Sequence, residues 1–200
     1  IAASLGYDFR LLRAVTDINR DRAGHFVGMM VKALNPIEDR VIAVLGLAFK
    51  PHTDDVREAP AITLVNLLAE EGALVRAYDP RAIAMAKRVI NPSVTLTDSL
   101  RECADGCQAL VLVTEWPEIV NADWEELFRC TAPPRFLFDG RNALDPWRMR
   151  RLRFLYRGIG RSAIMTRDVS GSIPGLASVD TDSALSSGPR HAANPSHGTG

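Results

Sequence analysis

"VIAVLGLAFKPHTDDVREAP", residues 41–60, decides the fold. Its first eight residues form a continuous apolar run rich in β-branched side chains, as a strand covered on both faces requires. The run meets Gly46, the usual opening of a phosphate-cradling turn, but Phe49, Lys50, Asp54, Asp55 and Arg57 follow where further glycines would stand. Without them the backbone cannot close on a pyrophosphate, so this turn is not by itself a dinucleotide fingerprint. It presents instead two cations of different reach. Lys50 is a compact ammonium at the strand end, and Arg57 is a planar fork near the next helix, suited to a bidentate grip on phosphate. Asp54 and Asp55 are placed to hold the loop by capping or by pairing with those cations. The alternative is a charged loop that simply faces solvent.

On either side of this stretch the chain alternates. Residues 8–34 carry Leu11, Leu12, Val15, Ile18, Phe26, Met30 and Leu34 at the spacing of a helix with one apolar face, which stops at Asn35-Pro36. Gly24 and Gly28 each cost that helix about 1 kcal/mol against alanine, and close packing against another helix would account for them; a plain surface helix is the other reading. After the strand at 41–48 the pattern predicts a helix over 60–72, with Pro60 in its first turn and Gly72 as its stop, and a strand over 74–79. A helix over 82–89, a strand over 94–97 and a helix begun by Asp98 or Ser99 come next. Strands over 109–116, 135–140 and 153–160, with a helix over 123–130, complete the series. This alternation predicts an α/β fold: a doubly wound, Rossmann-like parallel sheet with helices on both faces, preceded by a helix. Ligands in such folds sit at the carboxyl ends of the strands, where Lys50, Asp79, Glu115, Asp139 and Arg141 collect.

Composition narrows the classes. The 200 residues include 24 Lys plus Arg and 24 Asp plus Glu. No global field therefore draws the chain to nucleic acid or an anionic membrane, and a small-molecule or protein partner is expected. No apolar run approaches the roughly 20 residues of a membrane span, and no secretory signal is visible, so a cytoplasmic protein is expected. Cys103, Cys107 and Cys130 form no CxxC pair and read as buried or half-buried thiols rather than a disulfide framework or zinc site. The chain opens at Ile1 directly in an amphipathic pattern, as the later part of something longer would. Residues 162–200 are Ser, Gly, Pro, Ala and His without periodicity and are expected to be a disordered tail, with His191 and His197 solvated.

Two further segments carry chemistry. In "FDGRN", residues 138–142, a strand ends in Asp139, Gly140 allows a sharp turn, and Arg141 is delivered to the edge that holds Lys50. Two guanidinium groups and one ammonium on one rim suit a diphosphate. Asp79-Pro80 either accepts from a ribose hydroxyl or starts a turn. No nucleophile with a partner base emerges, and His25 and His52 stand alone in the sequence.

The pieces "GLAFKPHTDDVREAP", "AYDP", "LVLVTEW" and "FDGRN", in this order and spacing, resemble the C-terminal part of the UDP-glucose/GDP-mannose dehydrogenase family, over roughly residues 1–160. The resemblance implies oxidation of a nucleotide-sugar C6 hydroxyl to a carboxylate with two NAD and a thiol-bound intermediate. The framework is shared by dehydrogenases of UDP-glucose, GDP-mannose and UDP-N-acetyl sugars. It implies that residues 1–35 are the end of a central helical dimerisation region, with Asn19 matching that helix's usual asparagine, and that 36–161 form the UDP-sugar-binding domain. Phe49, Lys50 and Arg141 match substrate-binding positions, and Arg57 matches an arginine reaching across to NAD. Ala59 stands where serine is frequent, which affects only a helix cap. The family's NAD glycine motif and catalytic cysteine motif precede the matching region. A homodimer, and an NAD-binding domain outside these residues, are the expected partners. A non-catalytic nucleotide-binding or dimerisation module is the competing reading.

Overall fold

The computed structural model describes residues 10–161, with side chains of the first helix from residue 21 onward. Asn19's side chain, the predicted disordered tail at 162–200 and its two histidines lie outside the described residues. Helix α1 (Arg10–Leu34) leads into β1 (Val41–Leu45), α2 (Pro60–Glu70), β2 (Leu74–Tyr78), α3 (Ile83–Ala86), β3 (Thr95–Leu96) and α4 (Leu100–Ala104). Then come β4 (Ala109–Leu112), α5 (Pro117–Val120), α6 (Trp124–Cys130), β5 (Phe136–Asp139), α7 (Pro146–Arg151) and β6 (Leu155–Gly158).

The six strands make one sheet in the order β3-β2-β1-β4-β5-β6, and each neighbouring pair is parallel. This is the doubly wound arrangement the alternation predicts. The chain winds outward from β1 to β3, returns to β4, and winds the other way to β6, so right-handed crossovers set the helices of the two halves on opposite faces. In keeping with that, α1 packs with α2, and α4 with α6. The point where the winding reverses lies between β1 and β4, and there the carboxyl ends open a crevice.

Burial follows position. β4 and β5 are buried at every residue and β1 at all but Val41, whereas β2 and β6 are buried only at alternate positions and β3 at none. Two-sided burial is what makes the central strands read as unbroken apolar runs. On α1, Ala23, Phe26, Val27, Met30 and Leu34 form the buried face, and Phe26 meets Phe138 of β5 edge-on at 6.4 Å. Within the described part of this chain, Gly24 and Gly28 have no close neighbour. A Cβ at either would meet nothing within 4 Å among the described residues.

Two strands end well before their expected last residues, and two short helices are new. β1 stops at Leu45 because Gly46 has φ +93°, which turns the chain out of the sheet. A side chain there would lie 2.6 Å from Cβ of Thr114. β4 ends at Leu112 rather than 116; Trp116, the apolar residue that suggests a longer strand, is buried in the connection after it. The short helices α5 and α7 were not predicted. Each opens with proline, and Asp145 caps α7 by accepting from the Trp147 N–H at 2.9 Å.

Candidate functional site

Because all six strands are parallel, the segments that follow β1, β2, β4 and β5 emerge at one edge of the sheet. Phe49 and Lys50 follow β1, Glu115 and Trp116 follow β4, and Arg141 follows β5. The ends of β1 and β5, which lead to Lys50 and Arg141, therefore stand at the same edge of the sheet with β4 between them, two strand spacings or about 10 Å apart.

Two buried carboxylates shape this rim. Asp79, at the end of β2, takes the N–H groups of Leu47 and Ala48 on one oxygen at 2.7 and 3.0 Å, together with Trp116 Nε1 at 3.0 Å. Its other oxygen takes the Arg81 and Ala82 N–H groups at 2.8 and 2.7 Å. Five donors leave this carboxylate no vacancy for a ribose hydroxyl, so of the two sequence readings of Asp79 the turn-forming one holds. It ties the chain after β1 to that after β4, and Thr114 adds a second tie by donating to the Ala48 carbonyl at 2.6 Å.

Asp139 does the same work at the end of β5. It accepts from the N–H groups of Arg141, Ala143 and Leu144 and from the Tyr156 hydroxyl at 2.9 Å. Burial first, and then the Asp139 charge, push the Tyr156 phenol up, so Tyr156 remains a donor. Asp139 thereby fixes the backbone from which Arg141 projects.

The cations are exposed. Lys50 has no hydrogen bond or ion pair among the described residues, and Phe49 beside it leaves 53% of its surface in solvent. Phe49 donates its N–H to the Asp55 carbonyl at 2.8 Å, closing the loop. Asp55 also receives Arg57 through Nε at 3.0 Å and NH2 at 2.8 Å. The hydrogen bonds from Arg57 hold the Asp55 carboxyl down to about 2. So Asp55 holds the loop as expected, while Asp54 is exposed and has no pairing among the described residues. Arg141 lies in an equivalent pairing with Glu115, through Nε on one carboxylate oxygen and NH2 on the other at 2.8 Å. Each partner's shift reflects it: the hydrogen bond lowers Glu115 and raises Arg141.

The sequence reading missed three features here. Glu115 is the partner of Arg141 across 26 positions, which no local pattern reveals. Trp116 is a buried post rather than strand. His52 is not alone: its ring meets Trp116 edge-on at 5.8 Å, while the Arg81 guanidinium sits 5.6 Å from the same ring. Ala59 does cap α2 without a side-chain hydrogen bond. The cysteines read correctly as inert thiols. Burial pushes Cys103 up to about 12 and raises Cys107 and Cys130 as well, so none offers a thiolate nucleophile.

The turn after β1 does not fit NAD. The Leu47 and Ala48 N–H groups that would have to face a pyrophosphate already donate to Asp79, and Gly46 is the only glycine in the turn. A groove of about 520 Å³ beside α4, lined by Arg76, Thr97, Arg101 and Glu102 among others, shares no lining residue with Phe49, Lys50, Glu115 or Arg141. Arg76 there donates to the Asp105 carbonyl at 2.6 Å, and acids match its cations, so it makes a poorer anion site than the rim.

Comparisons with known proteins agree on one family. The domain described as "UDP-glucose/GDP-mannose dehydrogenase family, UDP binding domain" matches residues 43–146. UDP-glucose 6-dehydrogenase TuaD of Bacillus subtilis is 34% identical over 177 residues, covering 88% of this chain and 38% of the relative. A UDP-glucose 6-dehydrogenase of Pseudomonas aeruginosa is 42% identical over 166 residues, covering 80% of this chain and 36% of the relative. Among solved structures, a UDP-D-ManNAc dehydrogenase from Pyrococcus horikoshii matches with a TM-score of 0.65 at 30% identity, covering 82% of this chain and 37% of that one. The chain thus spans 38% or less of the length of these relatives.

Proposed function

Because this chain belongs to the UDP-glucose/GDP-mannose dehydrogenase family, with its UDP binding domain at residues 43–146, we propose that it supplies the nucleotide-sugar-binding part of a UDP-glucose 6-dehydrogenase. In that reading the whole enzyme oxidises UDP-glucose to UDP-glucuronate with two NAD in the cytoplasm, as a homodimer joined through the helical region that ends at residue 35. NAD and the reactive cysteine belong to a domain outside this chain. Residues 36–161 hold the UDP-sugar, and the uronate product would feed polysaccharide synthesis.

One observation carries the reading. The connections after β1, β4 and β5 bring Lys50 and Arg141 to a single rim at the winding reversal, where doubly wound sheets take their ligands. Lys50 meets the diphosphate as a charge and Arg141 as a directed fork, and Phe49 offers an exposed apolar face beside them. Arg57, at the far end of the same loop, extends toward the cofactor of the missing domain. Fixing a diphosphate at two points orients the sugar for hydride removal, and orientation lowers a barrier without any reacting group in this domain.

These cations recognise the diphosphate and not the sugar. A UDP-N-acetyl sugar therefore remains the second reading, favoured by the match to the UDP-D-ManNAc dehydrogenase. The test is direct. The purified chain mixed with UDP-glucose and NAD should produce no NADH, and clear turnover would refute the division of parts. In calorimetry UDP should bind, and Arg141→Ala should weaken it about tenfold, the size of a charge-assisted hydrogen bond. An affinity left unchanged removes Arg141 from the site.

A further inference from the structure

Both rim arginines are held by a carboxylate on the same side of the fork. Glu115 takes Nε and NH2 of Arg141, and Asp55 takes Nε and NH2 of Arg57. A guanidinium has five N–H donors, and occupying that edge leaves the NH1/NH2 edge to face outward. Each pair is close to neutral, so of Lys50, Arg57 and Arg141 only Lys50 offers an uncompensated charge among the described residues.

We propose that Glu115 is the positioning and specificity-setting residue for Arg141: it cancels the guanidinium's charge toward loose anions while aiming its free edge at the diphosphate of a nucleotide. The inference rests on the functional reading above. A free anion in solution is attracted mainly by net charge, which the Arg141–Glu115 pair lacks. A nucleotide anchored by its nucleoside brings its phosphates to one place, where a fork aimed in advance costs little further ordering. Neither side chain is deeply buried, at 40% and 35% exposure, so the pair can reach a ligand and a change to it leaves the core intact. The Asp139 carboxylate, which fixes the Arg141 backbone, makes the aim depend on Glu115 rather than on a mobile main chain.

Charge and aim can be separated by two substitutions in the full chain, titrated calorimetrically with UDP and with inorganic pyrophosphate in metal-free buffer. Glu115→Gln removes the charge and keeps one acceptor. Pyrophosphate should then bind about threefold to tenfold tighter, the effect of one unit charge near a surface, while UDP gains nothing. Glu115→Asp keeps the charge and shortens the reach. UDP should weaken about fivefold, the scale of a misaimed hydrogen bond, with pyrophosphate unchanged. Thermal midpoints near the parent's verify folding. Equal tightening of both ligands in Glu115→Gln, or no change in either variant, overturns the inference while leaving the UDP site standing. A parent chain that fails to bind UDP removes the functional reading itself, and this inference with it.

Discussion

Two sets of charged residues stand at the strand ends of this sheet, and they do opposite things. The acids Asp79 and Asp139 are 2% and 0% exposed and have their oxygens filled by backbone and ring donors from the protein itself. The cations Lys50, Arg57 and Arg141 are exposed, and two of them are paired with carboxylates at the surface. The difference follows from donor supply. Loops leaving parallel strands carry unpaired N–H groups, which a buried carboxylate satisfies and a cation cannot. A strand-end acid is thus drawn inward as a fastener, while a strand-end cation has nothing to gain inside and remains for a ligand.

The largest effect tests the fastening side. Asp79→Ala leaves four backbone N–H groups and the Trp116 indole without their acceptor and should cost about 3–5 kcal/mol in urea unfolding. A loss below about 1 kcal/mol would mean that solvent replaces the carboxylate and that Asp79 is no fastener. Gly46→Ala should come next, at about 3 kcal/mol, since it combines the φ of +93° with a 2.6 Å approach to Thr114. Tyr156→Phe removes one donor of four from Asp139 and should cost about 1 kcal/mol.

The cation side should behave in the reverse manner. Lys50→Ala should change unfolding free energy by less than about 0.5 kcal/mol and Arg57→Ala should leave the unfolding midpoint near the parent's, because exposed charges contribute little to stability. Lys50→Ala should nevertheless weaken UDP binding. A large stability loss in either variant would erase the distinction between the two sets. The smallest effect is a titration. Arg57 holds Asp55 at about 2, down from 3.8, so the pair favours the folded chain above the ordinary carboxylate range and is lost as pH falls through about 2. Carbon-detected NMR should find that midpoint, and Arg57→Ala should return it toward 3.8. An Asp55 midpoint already ordinary in the parent would contradict the pairing.

Much of this fold is legible in the chain because two-sided burial forces unbroken runs such as Ile42–Leu45 and Ala109–Leu112, which few other structures need. The same rule misled at residues 113–116, where Trp116 is apolar for the sake of a buried post that hydrogen-bonds Asp79. Helix α7 was missed because six residues carry too little periodicity, although Asp145-Pro146 marks its start. At the rim, the placing of Lys50 and Arg141 follows from the parallel alternation alone. What could not be read was whether each acid faces inward or outward. Asp79 and Glu115 both follow strands, and only the three-dimensional supply of donors and the distant Arg141 separate their fates.

The central claim is that the rim at the winding reversal, between β1 and β5, holds a nucleotide diphosphate. Titrating the ¹⁵N-labelled chain with UDP and following backbone amide shifts tests it most directly. Shifts should concentrate at Phe49–Lys50, Thr114–Trp116 and Gly140–Asn142. Shifts centred on Arg76, Thr97 and Arg101 beside α4, with the rim silent, would contradict it.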